Sequence, residues 1–240
     1  SWQNFGPTLE AHDIRAELKD GGEFSVKRVT LALDVWQSLL HMRWQFRDLT
    51  FWQLRFRTNT PITSGGGNDS LEASHISDLF LRQFDHFDLR DSEVSFLTPS
   101  GQRAELAIPQ LTWLNDPRRH RAEGLVSLSS LTGQHGVMQV RMDLRDDEGL
   151  LSNGRVWLQA DDIDLKPWLG KWMQDNIALE TAQFSLEGWM TIDKGDVTGG
   201  DVWLKQGGAS WLGEKETHTL SVDNLTAHIT RENPGWQFSI

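Results

Sequence analysis

The sequence has no cysteine and no tyrosine among its 240 residues. Without cysteine the chain forms no disulfide, builds no thiolate metal site and has no cysteine nucleophile. No apolar run approaches the ~18 residues that a membrane-spanning helix needs, and no signal-peptide core is visible. We therefore predict no membrane-spanning segment within these residues.

Positive charge is the scarcer sign, since 23 Lys and Arg face 34 Asp and Glu and leave a net charge of −11. An acidic surface repels phosphate polyanions and gains nothing from counterion release, which argues against a nucleic-acid partner. Short hydrolase, metalloprotease and nucleotide-binding motifs are missing, and no two of the 8 histidines have the spacing of a helical metal-ligand pair. We expect no enzyme, no cofactor and no metal site.

Two-residue alternation, interrupted by turn signals, runs through the whole chain. Met138, Val140, Met142 and Leu144 form one apolar row, and the residues between them are mostly polar. One apolar face per strand is typical of an antiparallel sheet. The residues expected to share one apolar groove are Leu31, Leu33, Leu54, Phe56, Phe96, Ile108, Val140, Met142, Leu158, Phe184, Leu186, Leu204 and Val222.

The alternation changes phase once near the N-terminus. Phe24 and Val26 are even-numbered, whereas Val29 and Leu31 are odd-numbered. This change predicts a β-bulge or a bend around Lys27-Arg28, which helps a sheet to curl. The same alternation puts Trp52 in one apolar row with Leu54 and Phe56.

Three segments have helical spacing. Asp34 is expected to cap the first, in which Val35, Trp36, Leu39 and Leu40 form one stripe. The second carries Leu71, Ile76, Leu79, Phe80 and Phe84. The third follows Asp164 and carries Trp168 and Trp172 at i, i+4, a pair expected to cap an apolar end of the groove; the alternative is that it dips into a membrane leaflet.

A sheet with one apolar face must cover that face. The three helical segments look too short for this purpose, so two arrangements remain open. One is a β-sandwich, in which a second sheet provides the cover, and the other is a curled sheet that holds an apolar ligand. The sequence shows no linker, and we expect residues 1–240 to form one continuous segment.

Arginines 118, 119 and 121 form the densest positive patch of this acidic chain, directly after Pro117. A solvated turn is one interpretation of the cluster. The other is that Arg118, Arg119 and Arg121 contact a phosphate headgroup or an acidic partner.

Several stretches, taken in order, resemble the AsmA-like proteins. They are Trp2-Gln3-Asn4-Phe5-Gly6-Pro7-Thr8-Leu9, the run from Val29 to Leu40, Phe46-Arg47-Asp48-Leu49-Thr50-Phe51, and the run from Phe87 to Phe96 with Leu106-Ala107-Ile108 after it. The resemblance implies a mainly β fold: a long antiparallel sheet, curled into an open, taco-like groove, with two or three short amphipathic helices.

The same resemblance implies a function. AsmA-like proteins of this type are implicated in moving phospholipid from the inner to the outer membrane of Gram-negative bacteria. We therefore expect residues 1–240 to be an N-terminal periplasmic fragment. Its partners are phospholipid acyl chains, the remainder of its own chain and the inner membrane, which it would reach through an N-terminal helix not included here. The alternatives are a closed β-sandwich scaffold of the cell envelope without lipid cargo and, third, an enzyme acting on envelope carbohydrate.

Overall fold

The structure, a computed structural model, describes residues 6–61, 71–97, 103–128, 136–166, 178–232 and 235–240. In these residues 12 strands form one sheet whose strand order follows the chain order. The strands are β1 (Thr8–Glu17), β2 (Glu23–Leu33), β3 (Phe46–Pro61), β4 (His86–Leu97), β5 (Arg103–Asp116), β6 (Arg119–Leu128), β7 (Met138–Arg145), β8 (Asn153–Asp164), β9 (Ala178–Asp193), β10 (Asp196–Leu212), β11 (Thr217–Glu232) and β12 (Gly235–Ser239).

Two short helical segments interrupt the strands. Helix α1 (Val35–His41) joins β2 to β3, and α2 (Leu71–Asp78) continues into a π-helical turn (Leu79–Gln83) before β4. The expected cap of α1 is confirmed, because the Asp34 carboxylate accepts a hydrogen bond from the amide of Gln37 at 3.0 Å. The predicted mainly β fold with short helices is therefore confirmed.

One pairing departs from the expected antiparallel sheet. Strands β3 and β4 are parallel, with Phe51 beside Leu89 and Phe56 beside Val94, whereas the other neighbouring strands pair antiparallel. Parallel neighbours need a connection that returns the chain to the edge where the first strand began. Here α2 and the π-helical turn lie in that connection.

The edge of the sheet that carries α1 is called the helix rim below. It also contains the β5–β6 turn at Pro117 and Arg118, the β7–β8 loop at residues 146–152 and the β9–β10 turn at Lys194 and Gly195. The other edge, called the opposite rim, contains the β1–β2 turn.

A line of bends runs across the strands near their middles. Asp13, Gln53 and Asp91 all have positive φ, of 54°, 52° and 47°. The flanking pairs place these residues level with Lys27 of β2 and Pro109 of β5. Because left-handed residues redirect an extended strand, this line folds the sheet into two facing walls. The bend predicted around Lys27-Arg28 is thus confirmed, and it is one element of a line that crosses several strands.

The bends explain why apolar residues change phase. On β3, Phe51 before the bend and Leu54 after it both belong to the buried cluster. Trp52 falls on the outer face instead, where the Arg28 guanidinium lies 4.3 Å from its ring centroid. Grouping Trp52 with Leu54 and Phe56 was therefore wrong, because the bend at Gln53 shifts the alternation by one residue.

Candidate functional site

The space between the two walls is an apolar groove that runs perpendicular to the strands. Its main buried cluster extends from Val26 on β2 to Val156 on β8, and a second cluster is centred on Ile163 and Leu186. Twelve strands at the usual separation of about 4.8 Å make the sheet about 50 Å wide perpendicular to its strands. The outer face of the same strands carries many charged side chains together with tryptophans such as Trp52 and Trp157.

The structure brings most of the predicted lining residues together. The main cluster contains, or has packed against it, Leu31, Leu54, Phe56, Ile108, Val140, Met142 and Leu158. The second cluster contains Leu186 and has Leu204 packed against it. Phe184 is buried beyond both clusters, and Leu33, Phe96 and Val222 are half-buried and belong to neither.

A glycine makes room for Phe184. Gly207 on β10 pairs with Phe184 on β9 and has a φ of 156°. A Cβ at this position would lie 2.6 Å from the Phe184 ring and 2.2 Å from the carbonyl oxygen of Gln183. The close approach of backbone and ring at this point of the groove therefore requires glycine.

Phe80 and Phe84, from the π-helical turn and the residue after it, fill the groove near its N-terminal end. The Phe80 ring centroid lies 6.2 Å from that of Phe24 on one wall. It lies 4.8 Å and 5.0 Å from Phe51 and Phe87 on the other wall. Phe84 packs 5.9 Å from Phe46 and 5.9 Å from Phe51. We call Phe80 and Phe84 the aromatic plug.

The plug corrects one expectation from the sequence. The helical segments were expected to be too short to cover the apolar face. The segment containing Phe80 does cover part of it, because it lies between two walls and needs to fill only the gap. Two phenylalanines four residues apart were the signal in the sequence, but nothing in their spacing showed where they would pack.

Asn115, at the helix-rim end of β5, holds the plug to the sheet. Its Nδ2 donates to the carbonyl oxygens of Phe80 at 2.6 Å and Phe84 at 2.8 Å. Its Oδ1 accepts from Trp113 Nε1 at 2.7 Å. These bonds satisfy carbonyls at the end of the π-helical turn that would otherwise be left without a partner in an apolar surrounding.

A buried histidine completes this network. His120 on β6 is 1% exposed; its Nδ1 lies 2.6 Å from Asn115 Oδ1 and its Nε2 lies 2.9 Å from Asp146 Oδ2. Both ring nitrogens of His120 therefore face hydrogen-bond acceptors. Asp146 also accepts from the amide of Leu151 at 2.8 Å. The local sequence does not predict this network, because Asn115, His120 and Asp146 come together only when their strands and loops meet.

The groove becomes progressively more open toward its C-terminal end. Among the described residues of β10, β11 and β12, none is fully buried. The inward-facing residues Val222 and Leu225 are half-buried, and Leu220 is 52% exposed. Among the described residues, this part of the apolar face is the least covered.

The predicted headgroup contacts lie at the helix rim. Arg118 is in the β5–β6 turn, and Arg119 and Arg121 point to the outer face of β6. Arg119 donates to both carboxylate oxygens of Asp143, at 2.9 and 2.6 Å, and Arg121 lies 3.4 Å from Asp116. Two of the three guanidiniums therefore already have carboxylate partners.

Ionised side chains of the outer face pair with each other. The hydrogen bond from Arg119 lowers the pKa of Asp143. The pKa of Glu187 is lowered because Trp157 Nε1 donates to it at 3.0 Å, and Lys205 adds to the effect. Between β5 and β8 this face has a shallow concavity of about 860 Å³, lined by Arg121, Glu123 and Trp157 among others. Paired charges and tryptophans thus occur together on the outer face, opposite the groove.

Other expectations from the sequence fall outside what the structure describes. Trp168 and Trp172 lie in 167–177, beyond the described residues, so their role as a groove cap stays a prediction. Just before them, the Asp164 carboxylate accepts from the Lys166 amide at 3.0 Å. In the described ranges no cluster of three potential metal ligands occurs. The helices described there are all too short or too polar to cross a bilayer.

The fold and the groove define a protein with one curved β-sheet and a long internal apolar surface. Residues 1–240 match the model of the YhdP protein family, and the chain belongs to that family. This confirms the resemblance to AsmA-like proteins, of which the YhdP family is one.

Over 240 residues the chain is 99% identical to a curated protein of Escherichia coli (strain K12) described as "Intermembrane phospholipid transporter YhdP". The match covers 100% of this chain but 19% of that relative, so the chain spans about a fifth of the relative's length. No solved structure matches the chain.

Proposed function

We propose that this chain is one section of a phospholipid conduit, in which acyl chains lie in the groove and headgroups stay at its open edge. The observation that carries the proposal is the apolar face of β10 and β11, which continues the buried core of β9 but is only half-buried or exposed among the described residues. The relative's description as a phospholipid transporter supports the same chemistry.

The energetics fit acyl chains. Each CH₂ group moved from water into an apolar environment gains about 0.8 kcal/mol, so a groove lined by leucine, valine and isoleucine replaces the bilayer interior as solvent. Recognition through the tails also suits a chain with a net charge of −11, because it does not depend on attraction to an anionic headgroup. Carriage of this kind needs no catalytic residue.

In this proposal the chain works in the periplasm, as part of a longer protein held at the inner membrane. Residues 1–240 act as one continuous segment of the groove, and lipid moves from the inner toward the outer membrane. Leu204, Val222 and the other predicted lining residues contact the tails. Arg118, whose neighbours Arg119 and Arg121 pair with carboxylates, is the member of the basic cluster best suited to a headgroup.

The alternative, a closed β-sandwich without lipid cargo, is less well supported. A sandwich packs two sheets face to face. The described strands form one sheet in chain order, and the facing walls are two halves of the same strands.

Lipid content of the purified chain tests the proposal. Native mass spectrometry followed by lipid extraction is expected to find phospholipid bound to the 240-residue chain. Leu204→Asp and Leu225→Asp, which place a charge inside the groove, are expected to reduce bound lipid at least fivefold, because an unpaired charge in an apolar site costs several kcal/mol.

Thr226→Asp is the matched control, since Thr226 neighbours Leu225 on the outer face of β11 and is exposed. It is expected to keep the lipid content of the unsubstituted chain. If the folded chain carries no phospholipid and takes none up from vesicles, the conduit proposal is wrong. The proposal is also wrong if Leu204→Asp, Leu225→Asp and Thr226→Asp all carry the same amount of lipid.

A further inference from the structure

An exposed apolar patch on α1 has no role in the groove. Leu39, Leu40, Met42 and Trp44 are between 63% and 89% exposed. Four large apolar side chains this exposed within six residues are unusual on a soluble protein surface. They lie at the helix rim, in the connection between β2 and β3.

The patch is presented by an ordered loop. The amide of Asp34 donates to the carbonyl oxygen of Gln45 at 2.9 Å, which closes the loop at its base. Ser38 Oγ donates to the Asp34 carbonyl at 2.6 Å and accepts from the Gln45 amide at 2.9 Å. Met42 ends the helix in the left-handed conformation, with a φ of 53°. These hydrogen bonds fix the backbone that carries the apolar side chains, so little backbone entropy is lost on docking.

The charge around the patch contrasts with the rest of the chain. Between Asp34 and Asp48 there is no carboxylate, whereas Arg43 and Arg47 supply two positive charges. The whole chain carries −11. A local cationic and apolar surface on an acidic protein complements an anionic lipid surface.

The size and composition of the patch favour a bilayer over a protein partner. Stable protein interfaces bury about 1,200–2,000 Å² and involve many residues on each side. A seven-residue helix with its following loop is too small for that. A bilayer needs no shape complementarity, and tryptophan and arginine are both favoured at its interface.

We propose that Leu39, Leu40, Met42 and Trp44 dock the helix rim onto an anionic bilayer surface. The apolar side chains enter the headgroup region, while Arg43 and Arg47 remain near lipid phosphates. This docking is distinct from the carriage of acyl chains in the groove and does not require it.

Vesicle flotation of the purified 240-residue chain tests the docking. Vesicles contain either phosphatidylcholine alone or phosphatidylcholine with 30% phosphatidylglycerol. We expect the chain to float with the anionic vesicles, and Leu40→Ser/Trp44→Ser to reduce its partitioning at least tenfold. Because both side chains are already exposed, the variant is expected to keep its melting temperature. Arg43→Gln is expected to lower only the preference for anionic vesicles, by severalfold.

Trp203→Ser/Leu212→Ser is the matched control. It removes one exposed tryptophan and one exposed leucine from β10, away from α1, and is expected to float like the unsubstituted chain. The proposal is overturned if the α1 variant floats normally, if the chain ignores anionic vesicles, or if the α1 variant instead abolishes a dimer measured by light scattering. Native mass spectrometry of the same samples measures bound lipid, which tests the groove independently of docking through α1.

Discussion

The apolar face is covered differently at the two ends of the groove. Near β2 to β5 the apolar walls are covered by Phe80 and Phe84 from the chain's own crossover. Near β10 and β11 the walls also carry apolar side chains, such as Leu204 and Val222, yet none of the described residues there is fully buried. The strands alternate in a similar way in both regions, so among the described residues the difference is the plug, which makes the apolar face near β2 to β5 part of the core.

The difference originates in one strand pairing. The parallel pair β3–β4 forces the chain to cross from the opposite rim to the helix rim, and the crossover lies inside the groove. Antiparallel neighbours such as β9 and β10 are joined by a tight turn at one edge, so their connection does not enter the groove. Among the described residues, the groove is filled where the crossover lies and less covered beyond it.

The largest expected effect is loss of the plug. Phe80→Ala is expected to lower the free energy of unfolding by about 3 kcal/mol, because it leaves a cavity between Phe24, Phe51 and Phe87. Leu220→Ala in the open region is expected to cost less than about 1 kcal/mol, since half of that side chain is already exposed. Urea unfolding of both variants checks the contrast. Equal costs would mean that the two regions do not differ as described.

The next effect concerns the hydrogen bonds that hold the plug. Asn115→Ala leaves the Phe80 and Phe84 carbonyls without their donor and is expected to cost about 2 kcal/mol. Hydrogen exchange should then increase at the amides of residues 79–85 and not in β11. Thr181→Ala, which removes an exposed hydrogen bond to Ser210, is a control expected to cost about 0.5 kcal/mol. Unchanged exchange in 79–85 would contradict the role given to Asn115.

Substitutions at the positive-φ bends are expected to have the same effect on stability in both regions. Gln53, with a φ of 52°, lies in the plugged region, and Asn224, with a φ of 75°, lies in the open one. At each position the β-branched valine is expected to be less stable than glycine by about 1–2 kcal/mol, because a β-branched residue is strained at positive φ. Melting temperatures of Gln53→Val, Gln53→Gly and the same pair at Asn224 measure this. If valine is destabilising at only one of the two positions, the bends in the two regions do not have the same structural role.

The smallest effect is a pH dependence next to the plug. The Asp85 carboxylate, 3.1 Å from His86 Nδ1, raises the pKa of His86 above 6.5. A raised pKa gives stability that is present below 6.5 and lost as the pH rises through the raised value. His86→Gln removes this contribution, so the stability difference from the unsubstituted chain should shrink from pH 5.5 to pH 8.5. The expected change is a few tenths of a kcal/mol. A constant difference across this range would contradict the assignment.

The sequence by itself determined the strands, the apolar rows, the cap of α1 and the bend in β2. Alternation placed Val140 and Met142 on one face, Asp34 marked the start of α1, and the phase change at Lys27 marked a bend. Each of these depends on residues within a few positions of each other, so a short window of sequence contains the necessary information.

Only the tertiary structure decided which strands pair in parallel, where the plug packs and which part of the groove stays open. Phe80 meets Phe24 from 56 residues earlier in the chain, and Asn115 meets Phe80 from 35 residues later. The same phenylalanine could have packed on the outside of the sheet without changing the local pattern. What selects its place is the route of the crossover, together with the burial of aromatic surface between two walls that exist only after the sheet has folded along its line of bends.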